Sequence, residues 1–247
     1  MPACVPVRLH LEGLPGPLAA RSRDIGTGGV CVETGSPFAL SSVERIVLDL
    51  PTGKMAFAAK ASWQRAPFVG DGLLTGIQFV SPKPEAIHRL WDFVQVQAKE
   101  CARFLHEGSE LGTLSLDDAL EIALRTRVRQ VPAGRWIYRQ GSAGEDSVLM
   151  VLSGTVAFEM RSRRDPPIRL KPIGVGGVFG GLPLLAEISH AESALAETDT
   201  QLLEIPRYTF RHFERTKPLL ARCVTRALIR RQASHLTELA ERVADRP

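Results

Sequence analysis

The spacing of glycines limits the fold of this chain more than any other feature. Gly134, Gly141, Gly154, Gly174, Gly176 and Gly177 cut the stretch from Arg127 onward into short apolar runs. Helices need ten or more periodic residues, whereas runs of four to eight bounded by glycine suit strands. The second half therefore predicts short strands that turn corners where a positive φ is tolerated. The first hundred residues are punctuated in the same way. Val5, Val7, Leu9 and Leu11 alternate at period two, and Leu14-Pro15-Gly16-Pro17 is a turn. Gly28-Gly29 feeds Val30–Glu33, Ile46–Leu50 stops at Pro51-Thr52-Gly53, and Ala56–Trp63 and Leu73–Val80 complete the set. Short strands at regular intervals argue for a barrel or sandwich.

Helical periodicity interrupts this pattern in three places. Pro84 opens a stretch with Ile87, Leu90, Trp91, Val94 and Ala98 on one face. The polar, glycine-containing run His106–Gly112 marks a linker. Ser115 then stands as N-cap of a second helix, with Asp118 in its first turn. Arg207–Phe213 reads as a short helix and Lys217 to about Val243 as a longer one. The expected fold class is mainly β with flanking helices. A barrel covers residues 1–100, a linker and helix 101–126, and a jelly-roll-like β-roll with a terminal helix 127–247.

Charge and cysteine content narrow the function. The net charge is +4, spread as 10 Lys/Arg against 9 Asp/Glu in residues 1–100 and 21 against 18 beyond. Neither half carries the clustered basic footprint of a nucleic-acid binder. Cys4, Cys31, Cys101 and Cys223 form no CxxC pair, so reduced thiols are expected rather than a disulfide framework or zinc site. No basic-then-apolar leader follows Met1 and no apolar run nears ~18 residues, so a cytoplasmic protein without a membrane span is expected. The histidines at 10, 88, 106, 190, 212 and 235 form no metal-spaced pair, and the segment 174–181 lacks the Lys-Ser/Thr of a P-loop. With no nucleophile elbow either, no enzymatic activity and no cofactor are expected.

Two segments carry family signatures. Asp24-Ile25-Gly26-Thr27-Gly28-Gly29, with Trp63, Gly76 and Phe79 at matching distances, resembles the PilZ family over residues 4–97. That family binds cyclic di-GMP with a D/N-x-S-x-x-G loop preceded by an R-x-x-x-R segment. The resemblance implies a site at Arg21, Arg23, Asp24, Gly26, Gly29 and Trp63. Arginine forks would meet phosphate and guanine edges there, and glycine would let the backbone approach. Gly26 takes the place of the loop serine, and no R-x-x-x-R precedes the first strand. On spacing alone Arg21 and Arg23 read rather as solvated strand-edge charges, and Asp24 as a turn residue bonding its own backbone.

The second signature is Gly134-Arg135-Trp136-Ile137-Tyr138-Arg139-Gln140-Gly141, then Ser153-Gly154-Thr155-Val156, then Val178-Phe179-Gly180-Gly181-Leu182-Pro183-Leu184-Leu185. It resembles the cyclic-nucleotide-binding superfamily over residues 114–243. There a phosphate cassette F-G-E-x-x-L-L wraps the cyclic phosphate with backbone N–H groups. In that family the cassette Glu accepts from the ribose 2′-OH, and an Arg about nine residues later neutralises the phosphate. The resemblance implies a pocket of Phe179, Gly180, Gly181, Leu182, Pro183, His190 and Ser193, with cAMP or cGMP as ligand. Gly181 replaces the Glu and His190 stands at the Arg position. Losing one charge-assisted hydrogen bond, worth about 1.5–3 kcal/mol, weakens binding roughly ten- to a hundredfold.

Ile229, Gln232, Leu236, Leu239 and Val243 fall at heptad spacing behind Leu220, Val224 and Leu228. The resemblance implies a homodimer through this helix, although packing on its own roll fits the stripe equally. Only four residues follow Val243, too few for a helix-turn-helix, so direct DNA binding by that route is not expected. Arg161, Arg163 and Arg164 read as a solvated hairpin tip. The sequence thus implies a second-messenger regulator acting through protein partners, or else a ligand-free adaptor built from the same two folds.

Overall fold

A computed structural model describes residues 4–66, 72–142, 147–161 and 166–244. The chain divides into two compact units, Met1–Glu100 and Cys101–Pro247.

Six strands of the first unit close into an antiparallel barrel. They are β1 (Pro6–Leu11), β2 (Leu18–Gly26), β3 (Gly29–Thr34), β4 (Val43–Leu50), β5 (Gly53–Arg65) and β6 (Leu73–Phe79), in the order β1-β2-β3-β6-β5-β4. The period-two pattern of the sequence becomes the inside of the barrel: Val7, Leu9 and Leu11 are buried while their neighbours are not. Phe57 and Phe79 stack inside at 4.2 Å between ring centroids. The expected loop Asp24–Gly29 is mostly strand. β2 runs through Gly26 and β3 begins at Gly29, so only Thr27 and Gly28 turn. A Cβ on Gly29 would strike the carbonyl of Ile77, so glycine there lets β3 lie against β6.

Helix α1 (Pro84–Glu107) follows the barrel. Leu90, Val94 and Ala98 are buried as their spacing predicts, but Phe93 joins them and Trp91 is 43% exposed.

The second unit stacks two four-stranded antiparallel sheets. One has the order β11 (Ile168–Ile173), β10 (Val156–Met160), β13 (Ser193–Ala196), β8 (Trp136–Tyr138). The other has β12 (Val178–Phe179), β9 (Ser147–Ser153), β14 (Thr200–Pro206), β7 (Arg127–Val131). Their inner faces bury Ile137, Leu149, Val151, Val156, Phe158 and Phe179 in one core. The architecture is the expected one, mainly β with a barrel, a roll and helices.

Residues 101–126, read as linker and helix, are packed into this unit. Leu105, Leu111, Leu114, Ala119 and Ile122 are buried. The Glu110 N–H donates to the Gly176 carbonyl at 3.0 Å, and the Glu110 carboxylate accepts from the Val178 N–H at 2.8 Å. α2 (Leu116–Arg125) is capped as predicted, with the Ser115 hydroxyl accepting from the Asp118 N–H at 3.1 Å. Such a cap stabilises a helix by about 1 kcal/mol.

Three further helices complete the unit: α3 (Leu182–Ala186), α4 (Arg207–Thr216) and α5 (Pro218–Ala244). No helix among the described residues is long and apolar enough to cross a membrane. The stripe on α5 divides. Leu220, Val224 and Leu228 are buried, Leu239 packs on the roll core, and Ile229 and Leu236 are 57% and 66% exposed. The heptad set is therefore not one seam, because His235, seven residues after Leu228, continues the inward face. The side chain of Val243 lies outside the described residues. Of the expected basic hairpin tip, Arg163 and Arg164 also lie outside them, while Arg161 pairs with Glu159 at 2.6 Å.

Candidate functional site

In the barrel, Arg21, Arg23, Asp24 and Gly26 share β2, while Trp63 stands on β5 with β3 and β6 between them. Arg21 is exposed, in register with Glu33 of β3. Arg23 differs from the solvated strand-edge charge its spacing suggests. It is 5% exposed and its guanidinium lies 3.3 Å from the Glu33 carboxylate. The register of β2 on β3 shifts between Ser22 and Asp24, which sets half-buried Asp24 opposite Cys31. Trp63 lies over Gly76, where any Cβ would collide with the indole, and the Arg65 guanidinium stands 5.2 Å from its ring. The expected site thus holds a buried arginine ion-paired to a carboxylate and, on another strand, an exposed cation–π pair. The fragments of the expected dinucleotide site do not share one strand pair.

In the roll, the cassette glycines shape a turn that a helix then covers. Gly180 follows β12 at φ +84, a conformation natural to glycine, and Gly181 caps α3. A Cβ on Gly181 would fall 2.5 Å from Cδ1 of Leu228 and 3.0 Å from Cγ2 of Val148. α5 therefore rests on the backbone where the family's cassette would project its Glu. Pro183 and Leu184 are buried beside it, and Leu182 begins α3.

His190 and Ser193 tie the far end of the cassette to the corner at 138–142. The His190 N–H donates to the Ser142 carbonyl, the His190 carbonyl accepts from the Gly141 N–H, and its ring stacks on Tyr138 at 3.7 Å and 8°. The Ser193 hydroxyl accepts from the Gln140 N–H at 2.9 Å. This is a structural role for both residues. Phe179 packs edge-on against Phe158 in the core.

The charged residue turned inward beside Ser193 is Glu192, which sequence reasoning passed over. Its side chain is 5% exposed, and its Oε2 lies 2.6 Å from Nδ1 of His235, itself 3% exposed, on α5. The Tyr138 hydroxyl bonds the same carboxylate, and burial followed by that negative charge pushes the phenol well above its ordinary range. Arg231, one turn before His235, lies 5.0 Å over the Phe158 ring and donates to the Lys171 carbonyl at 2.9 Å. Burial lowers its guanidinium, against the pull of Glu192, Glu110 and Glu238. The sequence did carry a signal for this cluster. His235 extends the buried face of Leu220, Val224 and Leu228, and a histidine on an apolar face calls for a buried partner.

Around Glu192 the interior offers a carboxylate, a phenol, an imidazole, aromatic faces and the half-buried Arg231 guanidinium. Two cavities open elsewhere on this unit, of about 720 Å³ and about 210 Å³. The larger runs between β11 and α5 past Arg169, Lys171, Glu238 and Arg242; neither is lined by the cassette glycines or His190. Among the described residues no His/Cys/Asp/Glu group could hold a metal ion, and the cysteines are free thiols, of which Cys31 is buried and the other three are partly exposed.

Residues 128–217 match the family model described as "Cyclic nucleotide-binding domain". The cyclic AMP receptor protein of Thermus thermophilus is 31% identical over 126 residues, which is 51% of this chain and 58% of that protein. Glutaminase 2 of Bradyrhizobium diazoefficiens is 29% identical over 144 residues, 58% of this chain and 22% of that protein. This chain therefore spans less than two thirds of either relative. A crystal structure of a cyclic nucleotide-binding domain from Methylobacillus flagellatus shares the fold, with a TM-score of 0.53 at 16% identity over 60% of this chain and 85% of that one. The second unit thus carries, at residues 128–217, a match to the cyclic nucleotide-binding domain.

Proposed function

We propose that this chain is a non-enzymatic, cytoplasmic signalling regulator of the bacterial second-messenger type. Its barrel is PilZ-like, its roll senses a small molecule, and α5 carries the response to a protein partner. The observation that carries this reading is the seating of α5: Leu228 covers Gly181 while Arg231 and His235 reach into the roll. A helix whose polar side chains enter a receptor's interior must shift when a ligand enters, and only such a difference between two states can transmit a signal. Exposed Ile229 and Leu236, seven residues apart, suit a homodimer contact on the opposite face.

The test is a thermal-shift and amide-exchange panel on the full chain with cAMP, cGMP, cyclic di-GMP, adenosine and guanosine. A ligand at about a hundred times its Kd adds about 2.7 kcal/mol of stability. At least one compound is expected to raise Tm and to change exchange across α5. If none does either, the second reading stands: a ligand-free adaptor. The Arg23–Glu33 pair in the barrel and Glu192 in the roll favour that alternative. Each sets a carboxylate near the place where the resemblance leads one to expect a cation for the phosphate.

A further inference from the structure

We infer that the roll is built for an uncharged aromatic heterocycle bearing N–H donors, a nucleobase or nucleoside, and that His235 holds the place of that ring. This rests on the proposal that the roll is a receptor read out through α5; what it adds is the class of ligand.

Three observations converge on it. First, the interior acceptor is an acid. The Glu192 carboxylate faces Tyr138, His235 and Arg231, and Arg231 is also drawn toward Glu110 and Glu238. An incoming cyclic phosphate would enter the negative field that Glu192, Glu110 and Glu238 set up around Arg231. A ring N–H meets Glu192 without that competition. Second, His235 marks where such a ring would lie, although it makes no hydrogen bond there itself. Its imidazole sets Nδ1 2.6 Å from Glu192 while the ring centroid lies 5.1 Å from that of Phe158, tilted at 60°. A purine can offer the same carboxylate an N–H and the same phenylalanine a flat face. Third, both ring nitrogens of His235 are buried with no hydrogen-bond partner among the described residues, Nδ1 despite its closeness to Glu192. Buried polar atoms are nearly always bonded, so the imidazole fills this space without satisfying it. Gly181 fits the same reading: with no side chain at that position, no acceptor awaits the sugar of a cyclic nucleotide.

The experiment uses the full chain with His235→Ala. Millimolar imidazole is expected to raise the Tm of this variant by several degrees and leave the wild type unmoved. Guanosine and adenosine should bind the variant at least tenfold more tightly than cGMP and cAMP. Glu192→Gln in the same background should weaken imidazole and nucleosides at least tenfold. Tighter binding of a cyclic nucleotide than of its nucleoside overturns the inference, as does rescue indifferent to Glu192→Gln. Should His235→Ala fail to fold, the wild type decides by NMR. Guanosine at millimolar concentration must shift the His235 imidazole resonance, and an unmoved resonance at saturation overturns the inference. Binding of a nucleoside without any change in α5 exchange would instead sink the regulatory reading while leaving the ligand class intact.

Discussion

A Glu192→Leu/His235→Leu double variant is expected to be nearly as stable as the wild type, although either change alone costs about 3–5 kcal/mol. Both side chains are almost fully buried and only 2.6 Å apart. Removing one partner strands the other, and an uncompensated buried charge costs that much. Removing both replaces a buried polar contact by apolar volume against Phe158 and Leu239, which is often neutral or stabilising. Guanidinium unfolding of the four proteins closes the cycle, and amide exchange across α5 localises the loss. A coupling near zero would mean that the pair does not form. Single variants costing under about 1 kcal/mol would mean that water reaches it. The expected pattern separates two reasons for keeping such a pair. If Leu-Leu matches the wild type, the pair contributes little net stability, and what remains is its ability to be broken by something that replaces one partner.

How much of this was legible in the sequence depended on whether the signal was local. Val7, Leu9 and Leu11 announce a half-buried strand because side-chain period and burial period coincide. Ser115 announces its cap because donor and acceptor lie three residues apart. The cassette glycines announce the roll because backbone conformation is a property of the residue itself. What the sequence did not disclose was long-range. Arg23 looked like a surface charge because its carboxylate partner, Glu33, arrives from the next strand. Counting from the cassette led to His190 for the anion position; its ring is buried against Tyr138, and the count gave no sign that Glu192 beside it is buried as well. A count of residues cannot disclose that His190, Glu192 and Ser193 are all buried, or which partners each meets there. The heptad on α5 misled for a related reason. Ile229 and Leu239 are both apolar, but 3.6 residues per turn set them on different faces.

Gly181→Glu, which puts back the acid that the cassette of the wider family carries, is expected to damage this protein. The φ of Gly181 is −80, so the backbone accepts a side chain and any penalty comes from packing. A Cβ there would sit 2.5 Å from Cδ1 of Leu228 and 3.0 Å from Cγ2 of Val148. Leu228 ends in a flexible isobutyl group, so Gly181→Ala should cost about 1–3 kcal/mol as an overpacking change. Glutamate adds a carboxylate under a helix face made of Leu220, Val224 and Leu228, with burial costs of several kcal/mol unless α5 lifts. The variant should therefore lose more stability than Gly181→Ala, and α5 should exchange its amides faster. Leu228→Ala, which by itself costs about 2–5 kcal/mol, should cost much less in the Gly181→Glu background, because the space it vacates receives the new side chain. Calorimetry on the three single variants and the Gly181→Glu/Leu228→Ala pair measures that non-additivity. Strict additivity, or a Gly181→Glu protein as stable as the wild type, would show that Leu228 does not rest on the cassette, and the account of α5 as the covering element of the roll would fail with it.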